Sequence, residues 1–373
     1  VEVEYERVGK YKSAPELLTE DSLSSAYREV LNSILDDNYQ YFITTTAQAR
    51  GLSKAELEKK VNYGFFAPDS AKIEGLIDTF AYADQLDSIL KSKFGKFKKI
   101  TERSYRTKTK HNPNWTETAS KIAIIYCLGS IVQGESRTDP ISGEIIMGAN
   151  TITQAIKKAR RDRSVKAIIF RINSPGGDGF ASDLIWREIE LTKEKKPCIV
   201  SMGPVAASGG YYISCNSDKI FALPATLTGS IGVFSLKMVL AGLYDKIGVK
   251  TQVMKRGEHS DAFSPHRKLT AEEHQMLKKA TQDFYHQFIQ KVAKGRNKTY
   301  DYIDSIGQGR VWTGNQAKEN GLVDTLGGLL AALDFAKQKT EAKEPKIIFL
   351  PKPKCDFLSP MLNWAWNRIF QFE

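Results

Sequence analysis

One serine in this chain has the surroundings that a hydroxyl nucleophile needs. Ser208 lies in the stretch 202–214 (MGPVAASGGYYIS), after an apolar segment at 198–200 and directly before two glycines. Small neighbours let a substrate backbone approach, and glycine amides at a helix start can bind negative charge. A strand-to-helix turn that uses the serine as a cap would have the same pattern, so this stretch alone leaves both interpretations open.

A nucleophilic serine needs a base, which could be histidine or lysine. The five histidines are His111, His259, His266, His274 and His286, and none lies in a triad-like motif. A lysine can serve if burial without a carboxylate partner lowers its pKa from about 10.4 to about 7–8, which disfavours the charged form by about 4 kcal/mol. A hydroxyl neighbour can orient such an amine, whereas Asp or Glu would keep it charged.

The chain after residue 121 predicts alternating strands and helices. The apolar strand candidates are 122–128, 167–172, 198–201, 219–222 and 250–253. Buried strands that alternate with helices are typical of a mainly parallel sheet with crossover helices, so we predict an α/β fold. Small-residue turns follow strands at 173–177, 207–210 and 227–232. Because function collects at the carboxyl ends of such strands, we expect these turns to meet at one crevice.

The first ninety residues predict a strand and then helices. Val1, Val3 and Tyr5 alternate as in a strand, a long helical pattern covers 22–50, and further helices begin near Ser53 and Pro68. A strand already in progress at residue 1 leads us to expect an upstream portion beyond this sequence.

An internal repeat relates this region to a later one. A shift of 246 residues superposes several pairs without a gap, among them Asp37 and Asp283, Tyr39 and Tyr285, Phe42 and Phe288, Arg50 and Arg296, Gly75 and Gly321, and Asp78 and Asp324. We therefore predict a tandem repeat with its first copy truncated. The same register sets Lys12 opposite Glu258. For Asp78 and Asp324, which follow helix ends, we expect turn or capping roles.

Composition excludes few classes. The 373 residues carry a net charge of +11, much of it in a basic stretch at 91–121 and a helix near 157–163, and no nucleic-acid motif accompanies it. We therefore expect no nucleic acid partner. An anionic membrane surface is at least as plausible a partner for this positive charge as nucleic acid is. The four cysteines lack metal-site spacing, no apolar run is long enough to span a membrane, and the N-terminus is no signal peptide.

These patterns divide the chain into four parts. Residues 1–94 are the C-terminal half of the first repeat module, 95–121 a basic linker, 122–340 the complete second module, and 341–373 a strand with an aromatic tail. The tail at 357–372 fits packing against a neighbour or contact with a membrane interface.

Six segments together carry a resemblance to a known family. The segments NSPGG, AASGGYYIS, LTGSIG and GKYKSAPE and the paired GLID and GLVD are similar to those of the signal peptide peptidase A, or protease IV, family in its long tandem-repeat form. The resemblance covers residues 1–338 and implies Clp- or crotonase-like α/β modules. It implies that Ser208 is the nucleophile, Lys12 the general base and Ser230 the group that orients the amine, with oxyanion-hole amides at Gly177 and Gly209.

The resemblance also implies a setting for the protein. It implies a membrane-associated serine endopeptidase that degrades cleaved signal peptides or other hydrophobic peptides, works as a homo-oligomer (a tetramer), and uses no metal or organic cofactor. The expected location is the bacterial inner membrane with an exported catalytic domain, or a thylakoid-type membrane. Two alternatives stay open: a crotonase-type acyl-thioester enzyme that binds coenzyme A, and a non-catalytic scaffold of the same fold.

Overall fold

A computed structural model describes residues 1–101, 104, 120–342 and 344–351. The chain forms two compact units: the first comprises Val1–Asp37 and Ala119–Glu373, and the second comprises Asn38–Thr118. The predicted linker at 95–121 and the tail at 357–372 fall largely or wholly outside the described residues. Among the helices of the described residues, none combines the length and the apolar character needed to span a membrane.

The helices are α1 to α13 in chain order: α1 Glu16–Thr19, α2 Ser25–Arg50, α3 Lys54–Tyr63, α4 Pro68–Ile73, α5 Leu86–Phe94, α6 Ala149–Arg161, α7 Gly179–Lys193, α8 Gly209–Ser214, α9 Ala241–Lys246, α10 Ala271–Arg296, α11 Tyr300–Ile306, α12 Gly314–Glu319 and α13 Leu329–Thr340. The strands are β1 to β13: β1 Glu2–Val8, β2 Lys121–Leu128, β3 Ser130–Val132, β4 Arg137–Thr138, β5 Ile145–Gly148, β6 Val165–Ser174, β7 Cys198–Ala207, β8 Lys219–Ala222, β9 Leu227–Gly229, β10 Val233–Val239, β11 Val311–Trp312, β12 Thr325–Leu326 and β13 Lys346–Leu350. A short 3₁₀ turn at Ala83–Gln85 precedes α5.

The first unit is built on an eight-stranded sheet. Its main path runs β11-β9-β7-β6-β2-β13, and β8 pairs with both β7 and β12. Every described pair in it is parallel except β9 with β11. The predicted α/β class with a mainly parallel sheet is therefore confirmed.

Both faces of this sheet are buried, which explains why its strands are continuous apolar runs rather than alternating ones. On one face Ile122, Ile124 and Ile169 pack against Ala332 and Ala336 of α13. On the other face the alternate strand residues pack against α6, α7, α8 and α10. Full burial of each such isoleucine contributes about 1.5–3 kcal/mol to folding.

A second, two-stranded sheet brings the N-terminus into the first unit. The strand β1 pairs antiparallel with β10 over seven residues, from Glu2 with Val239 to Val8 with Val233. This pairing delivers the turn after Val8, which contains Lys12, to the chain that precedes β10.

The helices repeat at the interval that the sequence predicts. The helices α2, α3 and α4 begin 246 residues before α10, α11 and α12, respectively. The turn after the third helix is held in the same way in both copies. Arg50 Nε donates to Gly75 O at 2.7 Å, and Arg296 Nε donates to Gly321 O at 3.1 Å. Arg50 also pairs with Asp78, and Arg296 pairs with Asp324. The two aspartates therefore hold turns.

One predicted strand is wrong. Residues 250–253 form no strand and are exposed, whereas β1, their counterpart in the repeat register, is paired along its whole length. Val249, Thr251 and Val253 alternate as in a strand, but alternation cannot supply the neighbouring strand that the ladder needs. Sequence reasoning also did not place β10 or the short strand β9, which occupies the start of the predicted 227–232 turn.

Candidate active site

Ser208 lies at the point where β7 ends and α8 begins. It is the N-cap of α8, with φ 54° and ψ −119°, a conformation that non-glycine residues rarely adopt. Its amide donates to Gly229 O at 2.9 Å, which fixes the backbone at this bend. Such strained residues persist only where the surrounding structure holds them, and they cluster at functional sites.

Lys12 reaches Ser208 from the turn after β1. Its Nζ lies 3.0 Å from Ser208 Oγ, 3.0 Å from Ser230 Oγ and 3.2 Å from Ser230 O. The side chain is 5% exposed, and no Asp or Glu of the described residues forms an ion pair with it. Burial therefore lowers the pKa of Lys12 to about 8.

Ser230 holds the other side of the amine. Its φ is 51°, a second left-handed value in a non-glycine residue, and its amide donates to Arg310 O at 2.7 Å. Because Ser230 offers Lys12 Nζ a hydroxyl and a carbonyl oxygen, the contact orients the amine without adding a negative charge. The structure thus brings together Lys12, Ser208 and Ser230.

Gly177 and Gly209 lie at the same cleft as Lys12 and Ser208. Gly177 pairs in parallel with Ile131 through an isolated bridge, and Gly209 is the first residue of α8. Within the described residues, neither amide donates to a backbone carbonyl. Two unengaged amides beside a serine hydroxyl have the chemistry that an oxyanion requires.

The cleft has a volume of about 550 Å³. Aromatic rings line much of it: Phe180, Tyr212, Phe234, Phe284 and Phe288. Polar side chains, among them Asp178, Asp183, Thr281 and Gln287, complete the lining. Sequence reasoning did not assign the α10 residues to the site, although the spacing of Phe284 and Phe288 by one helical turn marks them as one face of a helix.

The described histidines have other partners. His259 contacts Glu273, His274 contacts Glu6, and His286 contacts Tyr300. His266 packs on the Tyr244 ring, and His111 lies outside the described residues. The serine hydroxyl therefore has an amine neighbour, and none of these four imidazoles bonds to it.

A possible set of metal ligands lies away from the cleft. The residues Glu258, His259 and Glu272 place ligand atoms within 4.8 Å of one another. None of the three lines the cleft, and both glutamates are exposed. The set therefore takes no part in the chemistry considered for Ser208.

A buried lysine amine with a lowered pKa therefore contacts the hydroxyl of a serine whose backbone is strained, an arrangement that suits a serine hydrolase. Comparison with known proteins indicates a serine protease. The sequence profile of Peptidase family S49 matches residues 1–95 and 190–343, more than half of the chain. The chain belongs to peptidase family S49.

Individual relatives extend over most of the chain. It is 36% identical to "Serine protease SPPA, chloroplastic" of Arabidopsis thaliana, over 95% of this chain and 53% of that protein. It is 35% identical to "Protease 4" of Salmonella typhi, over 91% of this chain and 55% of that protein. The chain therefore spans about half the length of these relatives. A solved structure of a ClpP1 mutant from Listeria monocytogenes aligns with 56% of this chain and 94% of its own, at a TM-score of 0.37 and 18% identity, a likeness too low to argue from.

Proposed function

We propose that this chain is a serine endopeptidase in which Ser208 is the nucleophile and Lys12 is the general base. The observation that carries the proposal is the 3.0 Å contact between Lys12 Nζ and Ser208 Oγ, made by a buried amine without a carboxylate partner. With its pKa lowered to about 8, a substantial fraction of this amine is neutral near physiological pH and can accept a proton.

The reaction runs in two halves. The hydroxyl proton of Ser208 moves to Lys12 Nζ as Oγ bonds to the scissile carbonyl carbon, and the Gly177 and Gly209 amides bind the oxygen that gains negative charge. The C–N bond then breaks, and the Lys12 ammonium protonates the leaving amine. Water attacks the resulting ester and gives its proton to Lys12, and the acid product leaves as the Ser208 hydroxyl is restored. Ser230 keeps the amine directed at Ser208 throughout.

The proposed substrates are hydrophobic peptides, including cleaved signal peptides. The support is the aromatic lining of the cleft, which favours apolar side chains next to the scissile bond. We also propose that the protein works at a membrane as a homo-oligomer, a tetramer, with the repeat modules at 1–94 and 122–340, a linker at 95–121 and an interfacial tail at 341–373. Pelleting with anionic vesicles and light scattering of the full chain test these two points.

Fluorophosphonate labelling tests the proposed chemistry. We expect the parent protein to label at Ser208, Ser208→Ala to give no label, and Lys12→Ala to label about 10²–10⁴-fold more slowly, because it lacks the base. Labelling of Lys12→Ala at the parent rate would remove lysine from the mechanism. Absence of label in a folded parent that binds coenzyme A would instead favour an acyl-thioester enzyme.

A further inference from the structure

Three segments of chain meet around the backbone of Lys12. They are the turn at 9–13, the turn at 229–232, and the loop at 307–310, which we name the positioning loop. The positioning loop bonds to both of the others: Tyr11 N donates to Gln308 O at 2.8 Å, Gly309 N donates to Ile231 O at 2.7 Å, and Ser230 N donates to Arg310 O at 2.7 Å. It therefore fixes the lysine turn relative to the Ser230 turn.

The contact is close enough to require glycine on both sides. A Cβ on Gly309 would lie 2.6 Å from Lys12 N and 2.7 Å from Lys12 Cα, and a Cβ on Gly9 would lie 2.5 Å from the carbonyl carbon of Gln308. Such distances are far inside van der Waals contact, and the clashing atoms are backbone, which cannot rotate away. Any side chain at Gly309 must therefore displace Lys12.

The loop is held in a conformation that its sequence does not favour. Gln308 has φ 50°. Its amide donates to the Tyr285 hydroxyl at 3.2 Å, and its Nε2 donates to Asp304 Oδ1 at 2.6 Å. The Tyr285 hydroxyl in turn donates to the same Asp304 oxygen at 2.5 Å. This network, in which Tyr285 is buried and Gln308 and Asp304 are half-buried, supplies the restraint that a left-handed glutamine needs.

The internal repeat gives an independent comparison. In the 246-residue register Lys12 corresponds to Glu258, and the two glycines that close on it, Gly9 and Gly309, correspond to Lys255 and Tyr63. The copy without the lysine thus also lacks both glycines. Tyr285 corresponds to Tyr39, so the helix itself is retained. The two glycines therefore occur with the lysine, and the helices that both copies share do not require them.

We propose that the positioning loop, through Gly309 and the Tyr285–Gln308–Asp304 network, is the element that holds the Lys12 amine against Ser208 and shields it from water. The inference rests on the proposed function of Ser208 and Lys12. It assigns Gly309, Gln308 and Tyr285 as positioning residues, because none of them contacts the reacting atoms.

The charged groups around the turn do not substitute for the loop. Arg7 Nη1 donates to Lys12 O at 3.2 Å and is paired with Glu16, and Arg310 is paired with Glu29. Each of these charges has its partner, and none contacts Lys12 Nζ. A change in the pH response of Lys12 in a loop variant would therefore report altered burial of the amine itself.

The first test is Gly309→Ala in the full chain. We expect kcat on a hydrophobic peptide to fall about 10²-fold at pH 8, because a displacement of about 1 Å suffices for such a loss. We expect KM to change little, since the aromatic residues that line the cleft are not moved. Water reaching the amine raises its pKa, so the ascending limb of the pH–rate profile should move up by about one pH unit and activity should partly return near pH 10. The matched control is Gly242→Ala, where an added Cβ meets no atom within 4 Å.

The second test avoids a backbone clash. Tyr285→Phe removes only the hydroxyl that joins Gln308 to Asp304, and we expect kcat to fall about 10-fold with the same upward movement of the pH limb. Thermal unfolding and circular dichroism verify that both variants are folded. If Tyr285→Phe is folded and keeps the parent kcat and pH limb, the inference is wrong even if Gly309→Ala fails to fold. Absence of fluorophosphonate labelling in the folded parent would instead contradict the proposed function.

Discussion

The two copies of the repeat share a scaffold but differ at the position of the amine. Both have a 26-residue helix, α2 or α10, followed at the same spacing by two shorter helices and a turn held by an arginine and an aspartate. Lys12 is buried against Ser208, whereas its counterpart Glu258 is exposed. The scaffold and the site therefore depend on different residues, and one can be retained without the other.

The difference shows what a lysine needs if it is to serve as a base. A lysine in an exposed turn keeps its proton, because water stabilises the charge. The Lys12 turn removes water by close packing of Gly9 and Gly309, and it places hydroxyls rather than carboxylates on the amine. Only the first copy bears the free-energy cost of burying this amine, and that cost can be measured.

The largest expected effect, a loss of activity, comes from Lys12→Met, which keeps an unbranched side chain of similar length and removes the charge. We expect peptidase activity to be lost and the folded state at pH 7 to be more stable by about 1–3 kcal/mol, because a buried amine whose pKa falls from 10.5 to about 8 disfavours folding by about 3 kcal/mol, less the lost hydrogen bonds.

The pH dependence of that gain has a defined sign. Between pH 8 and 10.5 the unfolded parent binds a proton at Lys12 that the folded parent does not, so parent stability rises with pH across this window. The advantage of Lys12→Met should therefore be full below pH 8 and shrink toward pH 10.5. Urea unfolding of both proteins at pH 7 and pH 10 measures it, and an equal advantage at both values would contradict the lowered pKa of Lys12.

The next effect compares the arginine–aspartate pair in each copy. Arg296 is 7% exposed and Asp324 is 24% exposed, so Arg296→Met leaves a partly buried carboxylate unpaired and should cost about 2–4 kcal/mol. Arg50 is 24% exposed and Asp78 is 91% exposed, so Arg50→Met should cost less. Urea midpoints with a common m-value rank the two, and equal losses would show that burial does not separate the copies.

Sequence patterns predicted the elements whose signal is local. Apolar runs located β2, β6, β7 and β8, and the helix predicted to begin near Ser53 is α3, whose N-cap is Ser53. The pairing of Lys12 with Ser208 came from the family resemblance, because the residues are 196 positions apart and no local pattern joins them. The false strand at 250–253 and the unassigned Gly309 have the same cause: pairing and close packing depend on partners distant in the sequence.

The smallest expected effect is at the unused position of the second copy. Glu258→Lys restores the residue type that its counterpart has, yet we expect no gain in activity, alone or combined with Lys12→Ala. The side chain at 258 is exposed, and the positions that would pack around it in the repeat register hold Lys255 and Tyr63 instead of glycine. A lysine there therefore keeps a pKa near its usual value and stays protonated at pH 8. Fluorophosphonate labelling of the double variant at pH 8 decides the matter, since recovery of label would mean that residue type alone, without the closed turn, is enough to make a base.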